Sequence, residues 1–370
     1  MISKLLTGNT FIYCLLLTAT SSFSWAKPDL SKLHLPAGFK ISYFHKNTPG
    51  ARSLTLGKGT VFVSTRRQGR VYALRDTNKD GIADKRYIIA SGLNMPNGIA
   101  FHNKDLYVAE VHQILRYKNI EQHLDAPPTP EIIYTKLNNK RHHGWRYIGI
   151  NPAGHLVISI GVPCNICKPN NTALIKQIDL KTLKTTILAR GVRNSVGFDW
   201  HPVSKQLWFT DNGRDLMGDT IPADELNRVV NPGQHFGFPA CHGGTVLDPL
   251  YGKKGDCKQY SKPAWKFDAH VAPLGMRFYT GKMFPKIYYR QLFVAQHGSW
   301  NRSNKVGYQI MLVTLGSQFK RVRSATPFIT GWLKNERSTG RPVDLLVMRD
   351  GSLLISDDKA GVVYRVSYVK

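Results

Sequence analysis

The sequence predicts an all-β protein, a six-bladed β-propeller over residues 27–370. Three observations carry that expectation: a strand pattern that recurs six times, polar residues that recur ahead of the strands, and a near-absence of helical periodicity.

The recurring pattern is a small or polar turn, an alternating apolar strand, a variable loop and a second apolar strand. It stands in "GTVFVSTRRQGRVYAL" (59–74), "KDLYVAEVHQILRY" (104–117), "GHLVISIG" with "ALIKQIDL" (154–161, 173–180), "KQLWFTDNG" with "ELNRVV" (205–213, 225–230), "RQLFVAQHGSW" with "YQIMLV" (290–300, 308–313) and "GSLLISDDKAGVVYRV" (351–366). The first strands begin near 60, 105, 155, 206, 291 and 352, mostly 45 to 60 residues apart, with one longer gap that holds Cys241 and Cys257. That spacing suits four-stranded blades carrying insertions. A blade buries its faces only against neighbours, so six of them close as one ring; seven blades or a pair of sandwiches are the alternatives. The nearest approach to a helix is the short "PADELNRVV". Ahead of the strands stand "NMPNGIAF" (94–101), "HHGWRYIGI" (142–150), "RGVRNSVGFDW" (190–200), "HVAPLGMRF" (270–278) and "GRPVDLLV" (340–347). Polar residues repeated at such positions around a ring point to a central site.

Residues 1–26 read as a removable signal peptide: Lys4, the apolar "FIYCLLLTA" (11–19), and "SWA" ending at Ala26. Tyr13 ahead of Cys14 argues against a lipid anchor. No later run approaches the roughly 20 apolar residues of a membrane span. The expectation is a periplasmic or secreted protein with no transmembrane segment. Four cysteines then remain, Cys164, Cys167, Cys241 and Cys257. An oxidising compartment favours disulfides, in any of three pairings, of which proximity favours Cys164–Cys167 and Cys241–Cys257. "CNICK" lacks the histidine of a haem attachment, and no second CxxC completes a zinc site.

Against 24 acidic residues stand 51 basic ones, a net charge of +27. Such a field attracts anions, among them an anionic cofactor or substrate and anionic envelope surfaces. The basic residues are scattered and no nucleic-acid module is present, which argues against a specific nucleic-acid partner. In "DTNKDGIAD" the oxygens of Asp76, Asn78, Asp80 and Asp84 surround Gly81, a pattern suited to calcium. Tyr87 stands where an EF-hand has its last glutamate, so the loop predicts a stabilising ion rather than a catalytic one. His142 and His143 are adjacent, and on an extended backbone only one of them faces a given site; Arg146 follows.

Taken in order, "HHGWR", "RGVRN", "TDNGRD" with "DELN" and "NPGQHFGFP", "HVAPLG", "GRPVDL" and "LLISDDKAGVVYRV" resemble the soluble calcium- and pyrroloquinoline quinone (PQQ)-dependent sugar dehydrogenases, especially the aldose and sorbosone dehydrogenase-like branch. The resemblance covers nearly the whole chain after residue 26. It implies oxidation of a sugar C1 hydroxyl or aldehyde, with hydride transfer to the quinone and electrons passed to an external acceptor. It implies a histidine base at His142, or at His143 if the register slips by one. Arg193 and Asn194 match the pair on the quinone, Arg341 a basic contact to its carboxylates, and the carbonyls of Gly213 and Arg214 the calcium ligands. Asn97, at the first polar lead-in, joins the cofactor-binding candidates. The chain departs from glucose-oxidising members at Val162, where they have an aspartate orienting the base, at Val343, where they have a second arginine, and at His270, where they have a threonine. His270, His297 and Arg302 are the substitutes at hand.

Two other readings compete. A calcium-dependent lactonase-like hydrolase needs side-chain ligands, for which Glu110, Asn97, Asn194 and Asp211 are available. A non-enzymatic propeller binds an anionic envelope partner through its basic loops and leaves the histidine and arginine lead-ins without a task.

Overall fold

The computed structural model describes residues 27–253 and 255–369, so the expected signal peptide lies outside the described residues. Six antiparallel four-stranded sheets follow one another as the blades of a propeller, the third extended by a short parallel strand, Gln234–His235. The first five blades occupy 54–90, 98–134, 148–190, 198–267 and 273–329; the sixth joins 342–368 to Phe39–His45 from the start of the chain. Two small hairpins are inserted, Cys241–His242 with Val246–Leu247 and Leu333–Lys334 with Arg337–Ser338. Among the described residues the only helical pieces are four three-residue 3-10 turns, and no helix is long and apolar enough to cross a membrane. "DELNR", inside the expected near-helix, is the strand Asp224–Arg228.

The strands most evident in the sequence are the second of each blade. Val61–Ser64, Asp105–Ala109, Leu156–Ile160, Leu207–Asp211, Leu292–Gln296 and Leu353–Asp357 are buried at every position. Neighbouring blades cover both faces, so alternate side chains enter different cores. Val61 and Val63 pack on Leu346 and Leu354 of the sixth blade, while Phe62 between them packs on Ile99 and Leu106 of the second. Apolar clusters fill each of the six junctions between consecutive blades, including that between the sixth and the first. The polar lead-ins run into the innermost strands, several only three residues long, such as Ile148–Ile150 and Phe198–Trp200. The six recurring units therefore each begin at a blade's second strand rather than its first.

The ring closes where Phe39–His45 pairs with Val362–Tyr368. Polar contacts reinforce the junctions: Asp344 of the sixth blade accepts from the Leu54 amide of the first (2.9 Å), and the Thr210 hydroxyl of the fourth donates to the Leu274 carbonyl of the fifth (2.6 Å). Both disulfides form as proximity favours, Cys164–Cys167 and Cys241–Cys257.

Candidate active site

The lead-ins converge on one cavity of about 410 Å³. The first blade contributes Arg52 and Arg66, the third His142, His143 and Trp145, and the fourth Arg193, Asn194 and Gly213. His270, His297 and Trp300 come from the fifth and Arg341 from the sixth. Beneath them, Val343 packs with Val196, Leu274 and Trp145 as an apolar floor.

Both histidines line the cavity, contrary to the expectation for an extended chain, because the segment turns at His143 (φ 47°) and brings the ring centroids to 4.1 Å. His142 is exposed and His143 buried. The His143 Nδ1 donates to the Val162 carbonyl (2.9 Å), which leaves Nε2 as the acceptor. Val162 thus orients the ring through its backbone, where a glucose-oxidising enzyme of the resembled family uses an aspartate side chain. Gly161 allows this approach, since a Cβ there would lie 2.8 Å from the His143 carbonyl oxygen. Burial, then the Arg193 charge, then His142, hold the His143 pKa well below the ordinary imidazole value, so the ring is neutral at neutral pH.

Arg193 is fixed on all sides. Its guanidinium donates to the Asn165 carbonyl (2.9 Å) and side-chain oxygen (2.8 Å), the Asn212 carbonyl (3.1 Å) and Asp215 (3.0 Å). The Asp211 carboxylate accepts from the backbone amides of Arg193 (2.8 Å) and Asn194 (2.6 Å). The Asn194 carboxamide makes no hydrogen bond with any described group and faces the cavity. Asn165 and Asp215 escaped the sequence reading; the signal was an asparagine enclosed by the CxxC.

Across the cavity, Asp358 accepts from Arg52 (3.0 Å), Arg341 (3.0 Å) and His297 Nε2 (3.0 Å). Those partners hold its pKa well below the usual carboxylate range despite its burial. Near the fourth blade, Asp224 accepts from the amides of Gly213 (2.7 Å) and Ala272 (2.9 Å), and burial pushes its pKa up to about 6. The carbonyls of Gly213 and Arg214 accept no hydrogen bond from any described group. The Arg214 side chain turns away to Asp248. His270 lines the cavity and donates through Nε2 to the Gly218 carbonyl (2.8 Å).

Several expected residues lie elsewhere. Asn97 is buried behind the wall, its Oδ1 accepting from Arg52 Nε (2.9 Å), because the lead-in strand turns it away from the cavity. Arg146 ties together the Val111 (3.0 Å) and Asn138 (3.0 Å) carbonyls. Arg302 reaches the Ala269 carbonyl (3.2 Å) outside the lining. The lactonase ligands do not meet: Glu110 binds the Asn94 amide (2.5 Å), Asp211 is consumed by backbone, and only Asn194 of the four lines the cavity. In the expected calcium loop, Asp76 accepts from the Asp80 (3.2 Å) and Gly81 (2.8 Å) amides, while Asp84 is drawn to the Thr77 amide (2.6 Å). No three His, Cys, Asp or Glu side chains among the described residues gather as a metal-holding group.

The cavity is a polar, cation-rich chamber with one oriented imidazole, and the fold around it recurs in other proteins. A family described as glucose/sorbosone dehydrogenase matches residues 168–299, and one described as TrAA12-like matches 251–369. An uncharacterized protein of Borreliella burgdorferi is 38% identical over 366 residues, covering 95% of each chain. This chain belongs to the glucose/sorbosone dehydrogenase family. The chain is also similar to a PQQ-dependent pyranose dehydrogenase of Coprinopsis cinerea, 26% identical over 231 residues, 48% of this chain and 31% of that one. The family's propeller recurs in a Trichoderma reesei protein of carbohydrate-active enzymes family AA12, at a TM-score of 0.80 and 20% identity over 91% of this chain and 98% of that one. At that identity the likeness concerns the fold alone.

Proposed function

We propose that this protein is a PQQ- and calcium-dependent dehydrogenase that oxidises the C1 hydroxyl or aldehyde of an aldose- or sorbosone-type sugar. The observation that carries the reading is the neutral His143, its Nε2 an acceptor, in one cavity with Arg193, Asn194 and two further arginines, Arg52 and Arg341. A planar tricarboxylate fits such a donor set: Arg341 and Arg52 attract its carboxylates, and the free Asn194 carboxamide offers it a neutral hydrogen bond. The two unpaired carbonyls of Gly213 and Arg214, beside Asp224, are hard oxygen donors of the kind calcium takes. When bound, the quinone would supply a two-electron acceptor for the C1 hydride.

The chain itself then does three things. His143 Nε2 takes the proton of the C1 hydroxyl, and the Val162 carbonyl stabilises the imidazolium through Nδ1–H. Arg193, locked by Asn165 and Asp215, presents fixed positive charge without reorganising. Trp145 and Trp300 offer aromatic faces to a sugar ring. Export, supported by the two cystines, would place the activity in the periplasm or outside the cell, and the +27 charge would hold the protein near anionic envelope surfaces.

The test is dye reduction by the purified protein across aldoses and sorbosone, with PQQ added or withheld and calcium chelated or restored. Turnover that needs both is the expected result. Absence of turnover, together with an unchanged quinone spectrum on titration, would overturn the proposal.

A further inference from the structure

We propose that Arg66 and Arg67, bordering the Arg52–Arg341 pair, form a second anion subsite, so that the substrate is a sugar bearing its own carboxylate or phosphate away from C1. This rests on the sugar-oxidation reading and deepens it. Beside the main cavity lies a smaller one of about 180 Å³, lined by Gly50, Arg52, Arg66, Arg67, Gln68, Arg341 and Asp358; Arg52, Arg66 and Arg341 line both. Its single carboxylate, Asp358, is committed to Arg52, Arg341 and His297. Arg66 and Arg67 make no hydrogen bond or ion pair with any described residue. Arg66 is partly buried, its guanidinium 4.7 Å from the centre of the Trp145 ring.

Four guanidinium groups outnumber the one carboxylate and repel one another, and burial with Arg52 close by, only partly offset by Asp358, pushes the Arg66 pKa down to about 9. An anion would relieve that repulsion, and the guanidinium fork matches a carboxylate or phosphate in two-point contact. The smaller cavity suits such a group with the carbon that bears it, whereas a three-ring quinone needs the larger one. Its wall includes Gly50, whose φ of +70° lies in the left-handed region that favours glycine. The sugar then reaches from His143, whose ring centre lies 5.6 Å from that of Trp145, to Arg66, whose guanidinium lies over the same tryptophan.

The experiment compares an aldose, its 6-carboxylate and its 6-phosphate as substrates of the quinone-loaded enzyme, and titrates the same three calorimetrically into protein without quinone. One of the anionic sugars is expected to exceed the neutral sugar in kcat/KM by about ten- to a hundredfold. That ratio should collapse in Arg66→Gln and Arg67→Gln but persist in Lys184→Gln, an exposed charge change that controls for the overall field. Calorimetric binding of the anionic sugar should vanish with the same two variants. Which anion wins distinguishes carboxylate from phosphate. Equal kcat/KM for neutral and anionic sugars would overturn the inference, as would Arg66→Gln or Arg67→Gln lowering quinone affinity in an absorbance titration with the ratio unchanged. If wild-type protein binds no quinone, the oxidation reading falls, and the calorimetric arm still decides the subsite.

Discussion

Two walls of the same cavity solve the problem of holding charge in opposite ways. On the wall from the third and fourth blades the cation and the base are each held: Arg193 by Asn165, Asn212 and Asp215, and the neutral His143 by Val162. On the wall from the first and sixth blades one carboxylate, Asp358, serves two arginines and a histidine, while Arg66 and Arg67 have none. The first arrangement is preorganised and suits chemistry, because nothing need move as charge develops. The second is short of negative charge and suits capture, because an arriving anion completes it.

The sharpest way to break the contrast is at the base. His143→Ala should lower kcat/KM by about 100- to 10,000-fold with the far-ultraviolet spectrum retained, whereas His142→Ala should keep most of the activity; the reverse order would assign the role to the other imidazole. Because the His143 pKa is held well below the ordinary imidazole value, Nε2 is already deprotonated at neutral pH, and kcat/KM should fall only on acidification well beyond the range where a free imidazole titrates, where protonation removes the acceptor.

Next comes stability. Arg193→Met leaves Asp215 without its buried partner and should cost about 3–5 kcal/mol in denaturant unfolding. Arg341→Met, at a side chain 36% exposed whose partner keeps Arg52 and His297, should cost about 1 kcal/mol or less. Equal costs would erase the distinction between the walls. Asp358→Asn should lower the melting temperature in a way that phosphate or PQQ reverses, by about 2.7 kcal/mol at a hundred times the dissociation constant. Phosphate should give Asp215→Asn, on the balanced wall, no such rescue. A comparably small effect belongs to the disulfide that brackets Asn165: replacing Cys164 and Cys167 by serine should weaken quinone binding by about 1 kcal/mol, the worth of one loosened hydrogen bond to Arg193.

How much of this was legible follows from where each residue sits. Strands such as Leu156–Ile160 are covered on both faces, and their apolar runs announce themselves; Phe198–Trp200 is too short and too close to polar residues to read as a strand. Arg193, Asn194, His270 and Arg341 were found because lead-ins around a ring meet at its centre. The same rule misplaced Asn97 and Arg146, since alternate residues of a lead-in point into the blade junction rather than the cavity. Arg66 and Asp358 come from turns after strands, where a charged residue in sequence is indistinguishable from an ordinary solvated one.

The Arg52–Asp358 pair joins residues 306 positions apart, across the junction that the first and last strands latch. A chain that has not yet brought its two ends together therefore has five junctions and no anion-capturing wall, and that wall is among the last features to assemble because its loop-closure cost is the largest. An anion seated there acts as a clasp on the finished ring. It should slow the opening of the molecule far more than it hastens its folding.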